Sequence, residues 1–357
     1  MDTNNSLPEL LDIMPYPAFV VQNGTIIHAN NTAEQMIQPG QEIAPFIAAG
    51  KEEYAQMDNG VLCLSVIIDD VSYGASVLRS ADYDVFLLDI EIQDTQLQAI
   101  ALAAQEMRKP LASLMTVSDR YFAERQGETS QEEEKYISQM NRSLYQMLRL
   151  VNNMADAGRY QKANAQQLQS WNITSITNDL FDHATVLMNT TGKTFVCQRL
   201  EGLVFGMIDK EKFERALYNL ISNAAKFSPQ CSTVTASLTQ KGKKLYFTIE
   251  NECDGIFPNP QTIFTRFMRR PGIEDGRMGV GLGMVLVRSS AALHNGTVLI
   301  SQPAENTIRV TFSIELKENR SGMLHSRVPV ADYAGERDHG LIELSDFLPA
   351  SEYIGVN

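Results

Sequence analysis

Near residue 93 the apolar residues of this 357-residue chain stop alternating and begin to recur at steps of three and four. Leu97, Ile100, Ala104, Met107, Leu111, Leu114, Ser118 and Tyr121 make one such series. After a polar break at residues 125–129, Ile137, Met140, Leu144, Met147, Val151 and Met154 make a second. That period demands two long helices, each with an apolar seam, joined by a short link. Ser130 and Glu133 spell the capping box that would start the second helix. A lone hairpin over residues 93–160 leaves half of its seams in water, so two chains pairing into a dimeric four-helix bundle is the natural completion.

The segments on either side carry mixed periods. Residues 8–92 read as a small α/β domain. Residues 18–28 hold two apolar runs around Asn23-Gly24, a strong hairpin signal. A helical stretch at 32–37 and strand-like runs at 61–69, 73–80 and 84–90 follow. Residues 170–316 alternate helices (176–189, 210–227, 283–293) with strands (194–198, 202–207, 233–239, 244–250, 297–301, 307–315). Residues 317–357 form a tail whose apolar patch, 341–348, is expected to dock on the chain's own domains or on a partner.

Composition closes off several classes of function. At 44% apolar residues the chain can bury real cores, and a net charge of −13 disfavours a direct grip on nucleic acid or an anionic membrane. Cys63, Cys197, Cys231 and Cys253 are scattered, which suggests neither a zinc site nor a disulfide framework and fits reduced thiols in a cytosol. Met1 to Glu9 is not a basic, apolar leader, and no apolar run approaches the ~20 residues of a membrane span. A cytoplasmic location is the expectation.

Three stretches carry chemistry. In residues 210–227, Asn219, Asn223 and Lys226 fall four and three apart, on one helix face. Asparagine is a poor interior helix former, at roughly half a kcal/mol against alanine, so two on one face invite a reason. An amide oxygen is a good neutral ligand for a hard cation such as Mg²⁺, and a nearby lysine can meet phosphate. A solvated polar face is the alternative. The second stretch, Gly279-Val-Gly281-Leu-Gly283, opens an apolar helix with backbone N–H groups that phosphate could approach. The third, Asn251-Glu-Cys253-Asp254-Gly255, ends a strand and precedes an aromatic-basic segment, Phe264 to Arg270.

Taken in order, these elements resemble the asparagine, glycine and phenylalanine boxes of the sensor histidine kinase family, whose ATPase module is of the Bergerat type. Gln105-Glu106-Met107-Arg108-Lys109-Pro110-Leu111 stands where that family carries its phosphoacceptor histidine motif. The resemblance implies a multidomain α/β protein: a PAS-like sensor domain, the dimerising hairpin and an α/β-sandwich ATPase domain. It implies ATP and Mg²⁺ as cofactors. Asn223 would ligate the metal with Asn219 in support, and Lys226 would contact phosphate. Gly279, Gly281 and Gly283 would line the phosphates, and Arg269 would approach the γ-phosphate. Asn251 stands in place of an adenine-binding aspartate, with Asp254 and Gly255 beside it and Asp254 a possible substitute acceptor.

Two departures bear on activity. Gln105 replaces the nucleophilic histidine, and an amide is neither nucleophilic nor titratable. Glu106, at the adjacent base position, then has nothing to activate, and Lys109 replaces the Thr or Asn that positions water for phosphatase action. The leading expectation is an ATP-binding family member that does not phosphorylate its own hairpin. It would regulate a partner kinase or a response regulator, as a homodimer or as a heterodimer with a related kinase. An active kinase that phosphorylates another chain or a non-standard residue is the second reading, and a nucleotide-independent adaptor the third.

Overall fold

The computed structural model describes residues 6–88, 95–125, 130–157, 168–253, 282–317 and 337–354. The N-terminal part opens with helix α1 (Ser6–Asp12), followed by strands β1 (Ala18–Gln22) and β2 (Thr25–Ala29). Asn23 and Gly24 both take positive φ, as the two-residue turn predicted from them requires. Residues 31–36 form turns rather than the expected helix. Buried Asn30 organises them: its Oδ1 accepts from the amides of Ala18 and Ala33, and its Nδ2 donates to the carbonyls of Leu11 and Tyr16. Short β3 (Ile47–Ala49) and α2 (Lys51–Gln56) lead into a meander of β4 (Gly60–Ile68), β5 (Val71–Arg79) and β6 (Asp84–Leu88). The resulting antiparallel sheet has the order β2-β1-β6-β5-β4, and its core, around Phe19, Ile26, Val66 and Phe86, is filled by side chains.

Helices α3 (Thr95–Glu124) and α4 (Gln131–Ala157) form the hairpin. The capping box is present: Glu133 N donates to Ser130 Oγ at 3.3 Å, and Ser130 N to Glu133 Oε2 at 2.8 Å. The seams differ from expectation by half. On α3 the buried stripe runs Ala101, Ala104, Leu111, Met115 and Ser118, while Met107, Leu114 and Tyr121 are exposed. On α4, Ile137, Leu144 and Val151 are buried, but Met140 and Met147 are exposed. One hairpin satisfies only one of the two stripes that a heptad seam carries.

The remaining elements build an α/β layer. A small sheet pairs β7 (Gln169–Asn172) with β9 (Phe205–Ile208). Helices α5 (Ile173–Asn189), α6 (Lys210–Phe227) and α7 (Gly283–Leu293) accompany strands β8 (Thr194–Gln198), β10 (Thr233–Lys241), β11 (Lys244–Glu252), β12 (Val298–Ala304) and β13 (Thr307–Glu315). Phe213, Leu217, Leu220 and Ile221 of α6 belong to the core that these strands share. His294 ties α7 to the start of α6. It accepts from Asp209 N through Nε2, so Nδ1, 2.7 Å from Ser290 O, carries the proton, and burial keeps its pKa below the usual histidine value.

Two connections join these parts, the first of them not foreseen from the sequence. First, β12 pairs antiparallel with β4, Val298 opposite Cys63 and Ile300 opposite Val61, so the N-terminal sheet and the ATPase-like sheet are one sheet. Glu53 of α2 reinforces the junction, taking Lys244 Nζ at 2.7 Å and Tyr246 Oη at 3.1 Å. Second, the tail docks on the chain's own elements, one of the two outcomes expected of its apolar patch. Helix α8 (His339–Glu343), N-capped by Asp338, and a 3₁₀ turn (Ala350–Tyr353) place Ile342, Leu344, Leu348 and Tyr353 fully inside the main core, and the described residues of the tail add no strand.

Gly60 at the start of β4 has φ +103°, and a Cβ there would collide with the Ile300 carbonyl. Gly60→Ala should therefore loosen the β4–β12 junction and cost on the order of 2 kcal/mol or more through backbone strain alone. Urea unfolding measures the cost, and faster amide exchange in residues 60–63 and 298–300 locates it.

Candidate functional site

Helix α6 begins at Asp209, whose side chain accepts from Lys212 N at 3.2 Å. Its sheet-facing side is apolar, and the opposite face carries Asn219, Asn223 and Lys226 as their spacing predicts. Asn219 is fully buried, its Nδ2 donating to Arg215 O at 2.8 Å. Helix α7 starts against this face at Gly283. A Cβ there would lie 2.8 Å from Asn219 Oδ1 and 3.9 Å from Asn223 Nδ2, so glycine is what lets the two helices meet this closely. Asn223 is half-buried, and its side chain makes no hydrogen bond among the described residues. Asn251 ends β11, buried, with Nδ2 donating to Glu252 O at 2.7 Å, and Cys253 beside it is buried too. Asp254, Gly255, Arg269, Gly279 and Gly281 lie outside the described residues. On α3, Gln105 is half-buried next to fully buried Ala104, and Glu106 and Lys109 are exposed.

The same face holds residues that the motifs did not mark. Arg215, one turn before Asn219, is almost wholly buried. It donates from Nε to Glu343 Oε1 at 3.1 Å and from Nη2 to Asn153 Oδ1 at 2.8 Å, and it pairs with Asp156. Arg149 of α4 donates to Glu343 Oε2 at 3.3 Å, to Asp346 Oδ2 at 2.6 Å and to Asn219 Oδ1 at 3.3 Å. Lys226 pairs with Asp346, and Asn219 Nδ2 lies 3.5 Å from Glu343 Oε2. Three cations (Arg149, Arg215, Lys226) thus face three carboxylates (Asp156, Glu343, Asp346). Two of those carboxylates come from the tail. Glu343 and Asp346 sit three apart inside a patch whose other residues, Ser345 excepted, are apolar, and that spacing is the sequence signal that could have exposed them.

Burial and the neighbouring Arg149 guanidinium push the Lys226 ammonium down to about 8, against the opposing pull of Asp346. Burial alone would raise Asp346, but Arg149 and Lys226 outweigh it and hold its carboxyl below the usual aspartate value.

Two features of the site fit a magnesium-bound polyphosphate in their chemistry: the half-buried Asn223 amide, without a hydrogen-bonding partner among the described residues, and the close backbone approach at Gly283. Residues 208–319 match the family described as histidine kinase-, DNA gyrase B- and HSP90-like ATPase, and residues 95–162 match the His kinase A (phospho-acceptor) domain. Together the two matches span half of the chain.

The chain belongs to the sensor histidine kinase family.

Histidine kinase P4 of Formosa agariphila is 24% identical over 250 residues, 68% of this chain and 18% of that protein. Histidine protein kinase DivJ of Caulobacter vibrioides is 28% identical over 61% of this chain and 37% of its own length. The chain thus spans less than half the length of either relative. Among solved structures, full-length ShkA in complex with AMPPNP aligns with a TM-score of 0.49 and 19% identity, over 62% of this chain and 47% of that one. No helix among the described residues of this kinase-family chain is long and apolar enough to cross a membrane.

Two outcomes follow from the charge network. Arg215→Ala leaves buried Glu343 with one guanidinium fewer and should cost about 3–5 kcal/mol in urea unfolding, the penalty for breaking a buried pair. Asp346 has a folded pKa below its unfolded one, so its contribution to stability is complete above about pH 4 and is lost as pH falls through the lowered folded value. The stability gap between the parent protein and Asp346→Asn should accordingly close as unfolding is measured at successively lower pH.

Proposed function

We propose that this protein is a signalling member of the histidine kinase family that binds ATP with Mg²⁺ but does not phosphorylate its own hairpin. The observation carrying this reading is the coexistence of an asparagine helix with all its polar residues and a glutamine at the acceptor position. Asn223 would hold the metal through its amide oxygen, Asn219 would keep α7 in place beside it, and Lys226 would take a phosphate oxygen. When bound, Mg²⁺ neutralises part of the triphosphate charge. On α3, Gln105 offers an amide nitrogen whose lone pair is delocalised, so no nucleophile faces the nucleotide and Glu106 has no proton to take.

Action then passes through a partner, a related kinase or a response regulator. The exposed stripes of Met107, Leu114 and Tyr121 on α3 and Met140 and Met147 on α4 support pairing with a second hairpin, in a homodimer or a heterodimer. The antiparallel order β2-β1-β6-β5-β4 supports a PAS-like sensor reading for the N-terminal part, and four free cysteines support a reducing cytoplasm.

Incubated with γ-labelled ATP, the parent protein should show nucleotide binding that Asn223→Ala abolishes, and no acid-labile, base-stable phosphate. Gln105→His, which sets an imidazole beside Glu106, should gain slow labelling. Labelled parent protein would overturn the reading in favour of an active kinase with another acceptor, and absence of nucleotide binding would favour a nucleotide-independent adaptor.

A further inference from the structure

The tail does more than cover apolar surface. Ile342, Leu344 and Leu348 are fully buried, and an apolar staple of that kind could sit on any apolar groove. The polar contacts are what fix its place. Glu343 lies against Asn219, Arg149 and Arg215, while Asp346 lies against Lys226 and Arg149. Backbone contacts seat the segment: Arg142 donates to the carbonyls of Ser345 (3.3 Å) and Asp346 (3.1 Å), Gln146 to Ser345 O (3.1 Å), and Asn141 to Tyr353 O (3.0 Å). At its start, Arg337 reaches Asp119 of α3 at 2.8 Å.

We infer that the face formed by α4 and α6 is a binding site for an acidic, apolar peptide, filled in cis by residues 338–353, and that this peptide and the phosphates of ATP compete for it. This rests on the ATP-binding reading above. The argument is electrostatic. Without the tail, the carboxylates that remain against Arg149, Arg215 and Lys226 among the described residues are Asp156 and, 3.9 Å from Arg215, Glu211. A half-buried surface with that excess of positive charge attracts a polyanion. With the tail in place the cations are matched, Lys226 already has a carboxylate partner, and an incoming triphosphate meets Glu343 and Asp346 as like charges. Both ligands draw on Lys226, so each weakens the other by the same factor.

The experiment compares AMPPNP–Mg²⁺ affinity, by calorimetry, in the full-length parent, in Glu343→Gln/Asp346→Asn, and in Leu344→Asp, which detaches the tail without touching its carboxylates. Both variants should bind at least tenfold more tightly than the parent, with circular dichroism showing that each remains folded. In the parent, saturating AMPPNP should speed amide exchange in residues 340–348. Equal affinity in parent and both variants, or exchange in the tail that nucleotide leaves unchanged, overturns the competition while the ATP-binding reading stands. No binding in any of the three proteins overturns that reading and the competition with it.

Discussion

A carboxylate with no exposure to water is the constraint on which this arrangement turns. Glu343 is fully buried, and an ionised group there is tolerable only if matched by opposite charge and hydrogen bonds. Arg149 and Arg215 supply both, one from the second hairpin helix and one from the asparagine helix. Three elements far apart in sequence are therefore locked at one point. The apolar burial of Ile342, Leu344 and Leu348 provides most of the driving force for docking. The ion pairs contribute little net stability by comparison but define the register, because sliding the segment by one residue would strand at least one charge in the interior.

The ATPase-like half is held from a second direction. Strands β4 and β12 each cover an edge that would otherwise stand open to pairing with another chain, and Glu53 fastens the same junction with Lys244 and Tyr246. An enzyme that carries phosphate from nucleotide to its own hairpin needs its nucleotide half free to approach the acceptor. Here that half is tied through the sheet on one side and through the tail to α4 on the other. The sheet pairing and the tail thus fix the position of α6 relative to the hairpin from two sides.

Local structure was legible where a residue pattern has a single physical solution. The asparagine helix spans residues 210–227 as its spacing predicted, the Asn23-Gly24 turn and the Ser130 capping box are where their residues stand, and Gly283 begins its helix. The pattern misled where two solutions share one signal. Residues 32–37 look helical but are drawn into turns by Asn30, whose partners lie up to 19 positions away. The heptad seams announced apolar stripes without saying which stripe the partner helix covers and which remains outside. The pairing of β12 with β4 left no local trace, since an edge strand and a central strand read alike. Arg149 and Arg215 were hidden because a buried arginine is recognised by its carboxylates, and those come from residues 343 and 346.

That last separation sets an order in time. Glu343 follows the asparagine it covers by 124 positions, and follows Arg149 by 194. At 5–20 residues per second, synthesis reaches the tail roughly ten seconds after α6 has been made. Throughout that interval Arg149 and Arg215 lack the Glu343 carboxylate that is buried with them, and loop closure over so long a stretch makes docking a late event. The sheet of the ATPase-like half is thus translated in full before the segment that ties α6 to α4 exists, so that half has to fold without the tie.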